Sequence, residues 1–169
     1  MDEFLALAFA KEKSLPVVIA RLFNTVGPRQ TGRYGMVLPR FIAAARLGEP
    51  LLVYGDGEQT RCFCYVADTV ESLIRLQNCP TARGEIFNVG STEEISIIEL
   101  ARKVIRLLDS PSAVQMVPYL EAYGVDFDDM RRRKPLVDKL EKFVGFRPAT
   151  RLQRTIELTA AALSAPAPV

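Results

Sequence analysis

The sequence predicts an α/β protein, and three observations carry that prediction. Residues 16–23, Pro-Val-Val-Ile-Ala-Arg-Leu-Phe, form an almost continuous apolar run, the pattern of a parallel-sheet strand buried on both faces. Helix-start signals recur: Asp68 with Glu71, Ser96 with Glu99, and Thr150 with Gln153 each pair a capping side chain with an acid or amide three residues on. Short runs rich in β-branched and aromatic residues stand between those starts, so helices and strands alternate.

Taken in order, residues 1–13 read as a helix with Phe4, Leu5, Ala8 and Phe9 near one face. No N-cap precedes it, so the chain is expected to begin inside a helix. Strand 16–23 leads into a loop at 24–33. A helix at 37–47 is closed by Gly48 and Pro50. Residues 51–68 read as a β-hairpin, two apolar and aromatic runs around Gly55-Asp56-Gly57, with Asp68 opening a helix to about residue 77. A strand at 85–89 ends at Gly90, Ser96 opens a helix to about residue 108, and 114–117 is an edge strand. A charged loop at 126–134 carries Arg131, Arg132 and Arg133. Helix 136–144 stops at Gly145, and Thr150 caps a last helix to about residue 163. Residues 164–169 are expected to be a disordered tail.

Composition narrows the function. With 169 residues and 49% hydrophobic content, the chain can bury a core and reads as one domain over 1–163. A net charge of +2, both signs interspersed, offers no general field for nucleic acid or a membrane. The apolar runs are too short to span a bilayer, and the N-terminus lacks the build of a signal peptide. Cys62, Cys64 and Cys79 form neither a disulfide framework nor a metal spacing. The chain has no histidine, which excludes Ser-His and Cys-His catalysis. The expectation is a reduced, cytoplasmic protein without a metal.

The chemistry is concentrated in residues 51–68. Alternation puts Arg61, Phe63 and Tyr65 on one face of the second run and Cys62, Cys64 and Val66 on the other. A guanidinium beside aromatic side chains suits a ligand with one anionic group and one flat ring, as a nucleotide has. A surface hairpin with a solvated arginine would read the same way. Gly55-x-Gly57 is no dinucleotide loop, because it lacks a third glycine and stands between strands. Asn24 ends the 16–23 strand, where α/β sheets place their ligands, and is either a phosphate donor or a turn residue before Gly27-Pro28.

Val53-Tyr54-Gly55-Asp56-Gly57, then Gln59-Thr60-Arg61, Phe63, Tyr65-Val66 and Asp68, resemble the C-terminal half of the extended short-chain dehydrogenase/reductases. These are the NAD-dependent nucleotide-sugar epimerases, dehydratases and decarboxylases. Arg21-Leu22-Phe23-Asn24-Thr25-Val26-Gly27-Pro28-Arg29, Val37-Leu38-Pro39-Arg40-Phe41 and Phe87-Asn88-Val89-Gly90-Ser91 resemble further segments of the family, so the likeness runs from Met1 to about Ala161. It implies the substrate-binding portion of an extended Rossmann-type fold, with a β-hairpin and capping helices. The helix and strands of this portion would complete a Rossmann sheet.

The resemblance also implies a site for a nucleotide-sugar, a UDP-sugar first among them. In the family, Asn24 corresponds to a pyrophosphate contact and Arg61 to the arginine gripping the pyrophosphate. Val37, Leu38 and Phe41 open the helix whose backbone meets the base, Tyr54 with Val53 stands beside the uracil, and Arg133 contacts the nucleotide. Arg132 is the runner-up to Arg133, and Arg131 to Arg133 otherwise read as a solvated charge run. Pro135-Leu136-Val137-Asp138 departs from the family in lacking an aspartate after the proline.

NAD is the implied cofactor of a UDP-glucose 4-epimerase-like enzyme of carbohydrate metabolism, in which the sugar gives up a hydride while a tyrosine removes a hydroxyl proton. This chain has neither the Gly-rich fingerprint nor a Tyr-x-x-x-Lys pair, since its five tyrosines are followed four positions later by Leu38, Glu58, Thr69, Tyr123 and Phe127. The catalytic N-terminal half is therefore expected to be absent. The alternatives are a non-catalytic nucleotide-binding module, a subunit completed by a partner chain, or a bare fragment. Val17, Ile19, Phe87 and Val89 are expected near an uncovered edge or face, giving a homodimer or association with the missing half. The purified chain is expected to retain no NAD and not to interconvert UDP-glucose and UDP-galactose. Co-purifying NAD, or turnover above blank, would overturn that expectation.

Overall fold

The computed structural model describes residues 1–30, 32, 36–123 and 129–163. The 164–169 tail, residues 31 and 33 of the loop after Asn24, and residues 126–128 of the charged loop lie outside the described residues. The first elements are α1 (Asp2–Lys13), β1 (Ile19–Leu22), β2 (Thr25–Val26), α2 (Val37–Leu47) and β3 (Leu51–Tyr54). Next come β4 (Thr60–Cys62), β5 (Cys64–Tyr65), α3 (Val66–Gln77), a 3-10 turn at Pro80–Ala82, β6 (Ile86–Val89) and β7 (Glu94–Ser96). The chain continues through α4 (Ile97–Leu107), β8 (Val114–Val117), α5 (Tyr119–Tyr123), β9 (Arg132–Arg133), α6 (Asp138–Val144) and α7 (Leu152–Leu163).

The pairings are mostly parallel, as the α/β expectation requires: β1 with β6, β2 with β5, and β3 with β8. A three-stranded sheet runs β7-β4-β9, with β4 antiparallel to β7 and parallel to β9.

The expected hairpin does not form, because β3 and β4 do not pair with each other. The turn between them is bonded elsewhere. Gly57 O accepts from Ile98 N at 3.0 Å and Gln59 O from Ile97 N at 3.1 Å, so the start of α4 takes the carbonyls of Gly57 and Gln59. Those two N–H groups have no partner inside their own helix, and the turn satisfies them. β3 then finds β8, and β4 finds β7 and β9.

Two expected caps are corrected. α3 starts at Val66, so Asp68 lies within its first turn, and its carboxylate accepts from Ala149 N, Thr150 N and Thr150 Oγ1 at 3.0, 2.8 and 2.9 Å. Thr150 is thereby spent on Asp68, and the first N–H of α7, at Leu152, goes to Glu93 Oε2 at 2.7 Å. Gln153 pairs with Glu157 instead. The third cap is as expected: Ser96 Oγ accepts from Glu99 N, and Glu99 reaches back to Ser96 N.

The core has two parts. One joins α2, α4 and α7 over β3, with Leu38, Phe41, Ile42, Leu51, Val53 and Ile156 buried in it. The other sets Phe87 and Val89 of β6 against Leu76 of α3 and Leu140 of α6, with the Phe143 ring edge-on to Phe87 at 5.1 Å. Phe87 and Val89 are thus fully buried rather than near an uncovered face, because α3 and α6 cover β6. β1 departs from its expected double burial in the opposite sense, since Arg21 and Leu22 are exposed. On α1, Phe4, Leu5 and Phe9 face outward, and the Arg21 fork ties the helix to β1 through both oxygens of Glu3, at 2.7 and 2.6 Å. Cys62 and Cys64 are buried, which pushes both thiols up and keeps them protonated. No described helix is long and apolar enough to cross a membrane.

Glu94 fastens β9 to the three-stranded sheet. Its carboxylate accepts from Arg132 Nε and Nη2 at 2.8 and 3.0 Å and from Thr60 Oγ1 at 2.6 Å. These bonds, Arg132 first, hold the carboxyl well below its usual 4.5, at about 2. A depressed folded-state value means that the stabilisation is whole above the ordinary carboxylate range and lost as pH falls toward 2. Glu94→Gln is expected to lower the thermal midpoint at pH 7, with the gap to the wild type closing between pH 4.5 and 2. A gap that is the same at every pH would exclude the charge as its cause.

Candidate functional site

Four loops at strand and helix ends meet over a cavity of about 260 Å³. At the exit from β1, Asn24 takes a left-handed backbone (φ 34°), which asparagine tolerates better than most residues. Its Nδ2 donates to Cys62 O at 2.9 Å and its own carbonyl accepts from Cys64 N at 3.1 Å, so the β1 exit is stitched to residues 62–64. One amide hydrogen is used in that stitch, leaving the other for a ligand.

The second wall is the start of α2. Met36 provides no side-chain cap, so the first N–H groups of the helix at Val37 and Leu38 remain available to a polar ligand. Leu38 and Phe41 point the other way, into the core. The third wall is the end of β3, where Arg40 Nη2 donates to Tyr54 Oη at 2.6 Å and the guanidinium carbon stands 5.1 Å from the Tyr54 ring centre.

The floor is a polar chain. Gln59, almost wholly buried, donates through Nε2 to Tyr54 O at 3.2 Å and to Tyr119 Oη at 2.7 Å. Since a carbonyl can only accept, the amide nitrogen must face Tyr54, and Oε1 is left without a partner among the described residues. Tyr119 Oη donates to Asp129 Oδ2 at 3.2 Å, and the other oxygen of Asp129 takes Arg61 Nη2 at 2.6 Å. Arg61 Nη1 spends its hydrogens on Thr60 O and Met130 O, at 2.8 and 2.7 Å. Arg61 is therefore partly structural, with Nε and one Nη2 hydrogen remaining.

Six of the eight expected site residues, Asn24, Val37, Leu38, Phe41, Tyr54 and Arg61, line this one cavity. The other two do not. The side chain of Val53 is fully buried in the core, because alternation along β3 turns it away from Tyr54. Arg133 is exposed, its guanidinium carbon 5.1 Å from the centre of the Phe23 ring. Sequence reasoning missed Arg40, Gln59, Tyr119 and Asp129, which also line the cavity. Arg40 and Gln59 stand inside the segments that carry the resemblance, so a signal existed for them. Tyr119 and Asp129 have no motif and arrive by tertiary packing.

NAD finds no cradle among these residues. The cofactor's pyrophosphate needs a strand–Gly-x-Gly-x-x-Gly–helix turn, and no run of this sequence has that spacing.

A sequence profile of the NAD dependent epimerase/dehydratase family matches residues 1–90. The chain is 46% identical over 149 residues to a UDP-N-acetyl-alpha-D-glucosaminuronate decarboxylase of Bacillus cytotoxicus, covering 88% of this chain and 46% of that relative. It superposes on the epimerase Mth375 of Methanothermobacter thermautotrophicus with a TM-score of 0.87 and 30% identity, covering 96% of this chain and 47% of the other. The fold also matches a UDP-glucuronic acid 4-epimerase from Bacillus cereus, solved with UDP-glucuronic acid and NAD, at TM-score 0.83 and 23% identity, over 96% of this chain and 49% of that one. The chain thus spans about half the length of the relatives it matches.

The floor chain has a spectroscopic consequence. Burial, then the Asp129 charge and its hydrogen bond, push the Tyr119 phenol up from 10.0 to about 12. Ultraviolet titration is expected to find one tyrosine that ionises only near that pH. Asp129→Asn should bring it back toward 10.0. Unchanged titration in that variant would show that the carboxylate does not act on Tyr119.

Proposed function

The chain belongs to the NAD dependent epimerase/dehydratase family, and from that premise we propose that it is the nucleotide-sugar-binding part of such an enzyme, with a UDP-sugar as its ligand. The observation that carries the reading is the convergence of Asn24, Val37, Leu38, Phe41, Tyr54 and Arg61 on one cavity beyond the strand ends. The pyrophosphate would lie against the second amide hydrogen of Asn24 and the remaining N–H groups of Arg61. The flat base would lie by Tyr54, with the first N–H groups of α2 at hand for polar contacts. Binding energy gathered on the nucleotide fixes the sugar's orientation, and that is this chain's part in the chemistry.

The reaction is a change at the sugar of the kind the family performs. A 4-epimerisation or dehydration is the reading from the resemblance, and the name of the 46% identical relative adds decarboxylation. In the whole enzyme NAD supplies the hydride chemistry. A second reading is a nucleotide-binding module without turnover, or a subunit completed by a partner chain. The outward Phe4, Leu5 and Phe9 of α1 favour association, as a homodimer or with a first half. Cytoplasmic residence belongs to the same proposal.

Calorimetry tests the binding reading. UDP is expected to bind more tightly than uridine, and salt to weaken it. Arg61→Ala removes charge-assisted bonds and leaves Asp129 facing the ligand without its counter-charge. The expected loss is about 2–3 kcal/mol, roughly 30- to 150-fold in affinity. Equal binding of UDP and uridine would overturn the assignment.

A further inference from the structure

Among the described residues, the charged side chains lining the cavity are Arg40, Arg61 and Asp129, and two of them cancel. Asp129 holds Arg61 at 2.6 Å, and both side chains of that pair are well covered, at 15% and 27% exposure. Arg133, the other arginine expected at the ligand, is not among the lining residues and lies by the Phe23 ring. The remaining cation is Arg40. Its partner is neutral, the Tyr54 hydroxyl, and it has no carboxylate partner among the described residues. It is half-buried on the first turn of α2, beside the end of β3.

A half-buried guanidinium with no counter-charge among the described residues, inside a concave site, is a costly arrangement, and an anion relieves it. The Tyr54 contact uses one Nη2 hydrogen and fixes the direction of the fork, leaving four N–H donors. A fork fixed in advance loses less freedom when the ligand arrives. The ligand reading above requires a diphosphate in this cavity, and the pairing of Arg61 with Asp129 leaves Arg40 as the uncancelled cation among the described lining residues. Resting on that reading, we propose that Arg40 is a diphosphate-binding residue of this site and supplies its net charge, while Arg61 acts as a donor already neutralised by Asp129.

The test is calorimetry on the full chain with UDP, UMP and uridine at low and high salt. Arg40→Met keeps the aliphatic stem and removes the charge. It is expected to weaken UDP at least tenfold, to weaken UMP less, to leave uridine unchanged, and to flatten the salt dependence of UDP binding. Arg40→Lys should restore part of the UDP affinity and all of the salt dependence, which a role confined to packing Tyr54 would not do. Arg40→Gln serves the same purpose should the methionine variant fail to fold. Two outcomes overturn the inference alone, with UDP still bound by the wild type: an indifferent Arg40→Met, or equal losses of UDP and uridine. A wild-type chain that does not bind UDP overturns the nucleotide reading on which the inference rests.

Discussion

The bonds from the start of α4 to the turn after β3 are the constraint on which the site depends. With Ile97 N on Gln59 O and Ile98 N on Gly57 O, residues 55–59 cannot fold back as a hairpin. β3 and β4 are held apart, and the space between their ends becomes the cavity. Gln59 is drawn onto its floor by the same bonds. The turn needs its two glycines, both with positive φ (69° and 72°). A Cβ on Gly57 would meet Val53 Cγ1 at 2.7 Å and Ile98 Cβ at 2.9 Å, and one on Gly55 would enter the Tyr119 ring. The motif Gly-Asp-Gly is thus a packing device that shapes the cavity.

The polar groups of the cavity divide into two sets with different work. Gln59, Tyr119, Asp129 and Arg61 form a chain of bonds that ties α5 and the 129–130 segment to β3 and β4. Such a chain is rigid, and little of its charge reaches outward. Asn24, the first N–H groups of α2 and Arg40 are tied at one end only and present their remaining donors inward.

What the sequence revealed followed from how local each cause was. The C-terminal end of α2 at Gly48 and the Ser96–Glu99 box were legible because the cap and the capped groups lie within a few residues of each other. The Asp68 and Thr150 signals were equally good locally and were misread, because those two residues, 82 positions apart, satisfied each other. The hairpin failed for the same reason: the partner of its turn was a helix start some 40 residues on. At the cavity, six of the eight expected residues were legible from the motifs, and the Asp129 partner of Arg61 was not, since tertiary packing brings it in.

The Asp68 clasp also sets an order of events. Its three bonds join the first turn of α3 to the residues just before α7, and α7 in turn packs on α2, which forms one wall of the cavity. Closing so long a loop is slow and entropically costly, and it has to wait until the later residues exist. On a ribosome, where early segments emerge first, α2 would leave the tunnel with its α7 face bare. The cavity wall would be completed only when α7 arrived. The cavity is therefore a late product of synthesis, although most of its described lining residues lie between Asn24 and Tyr54.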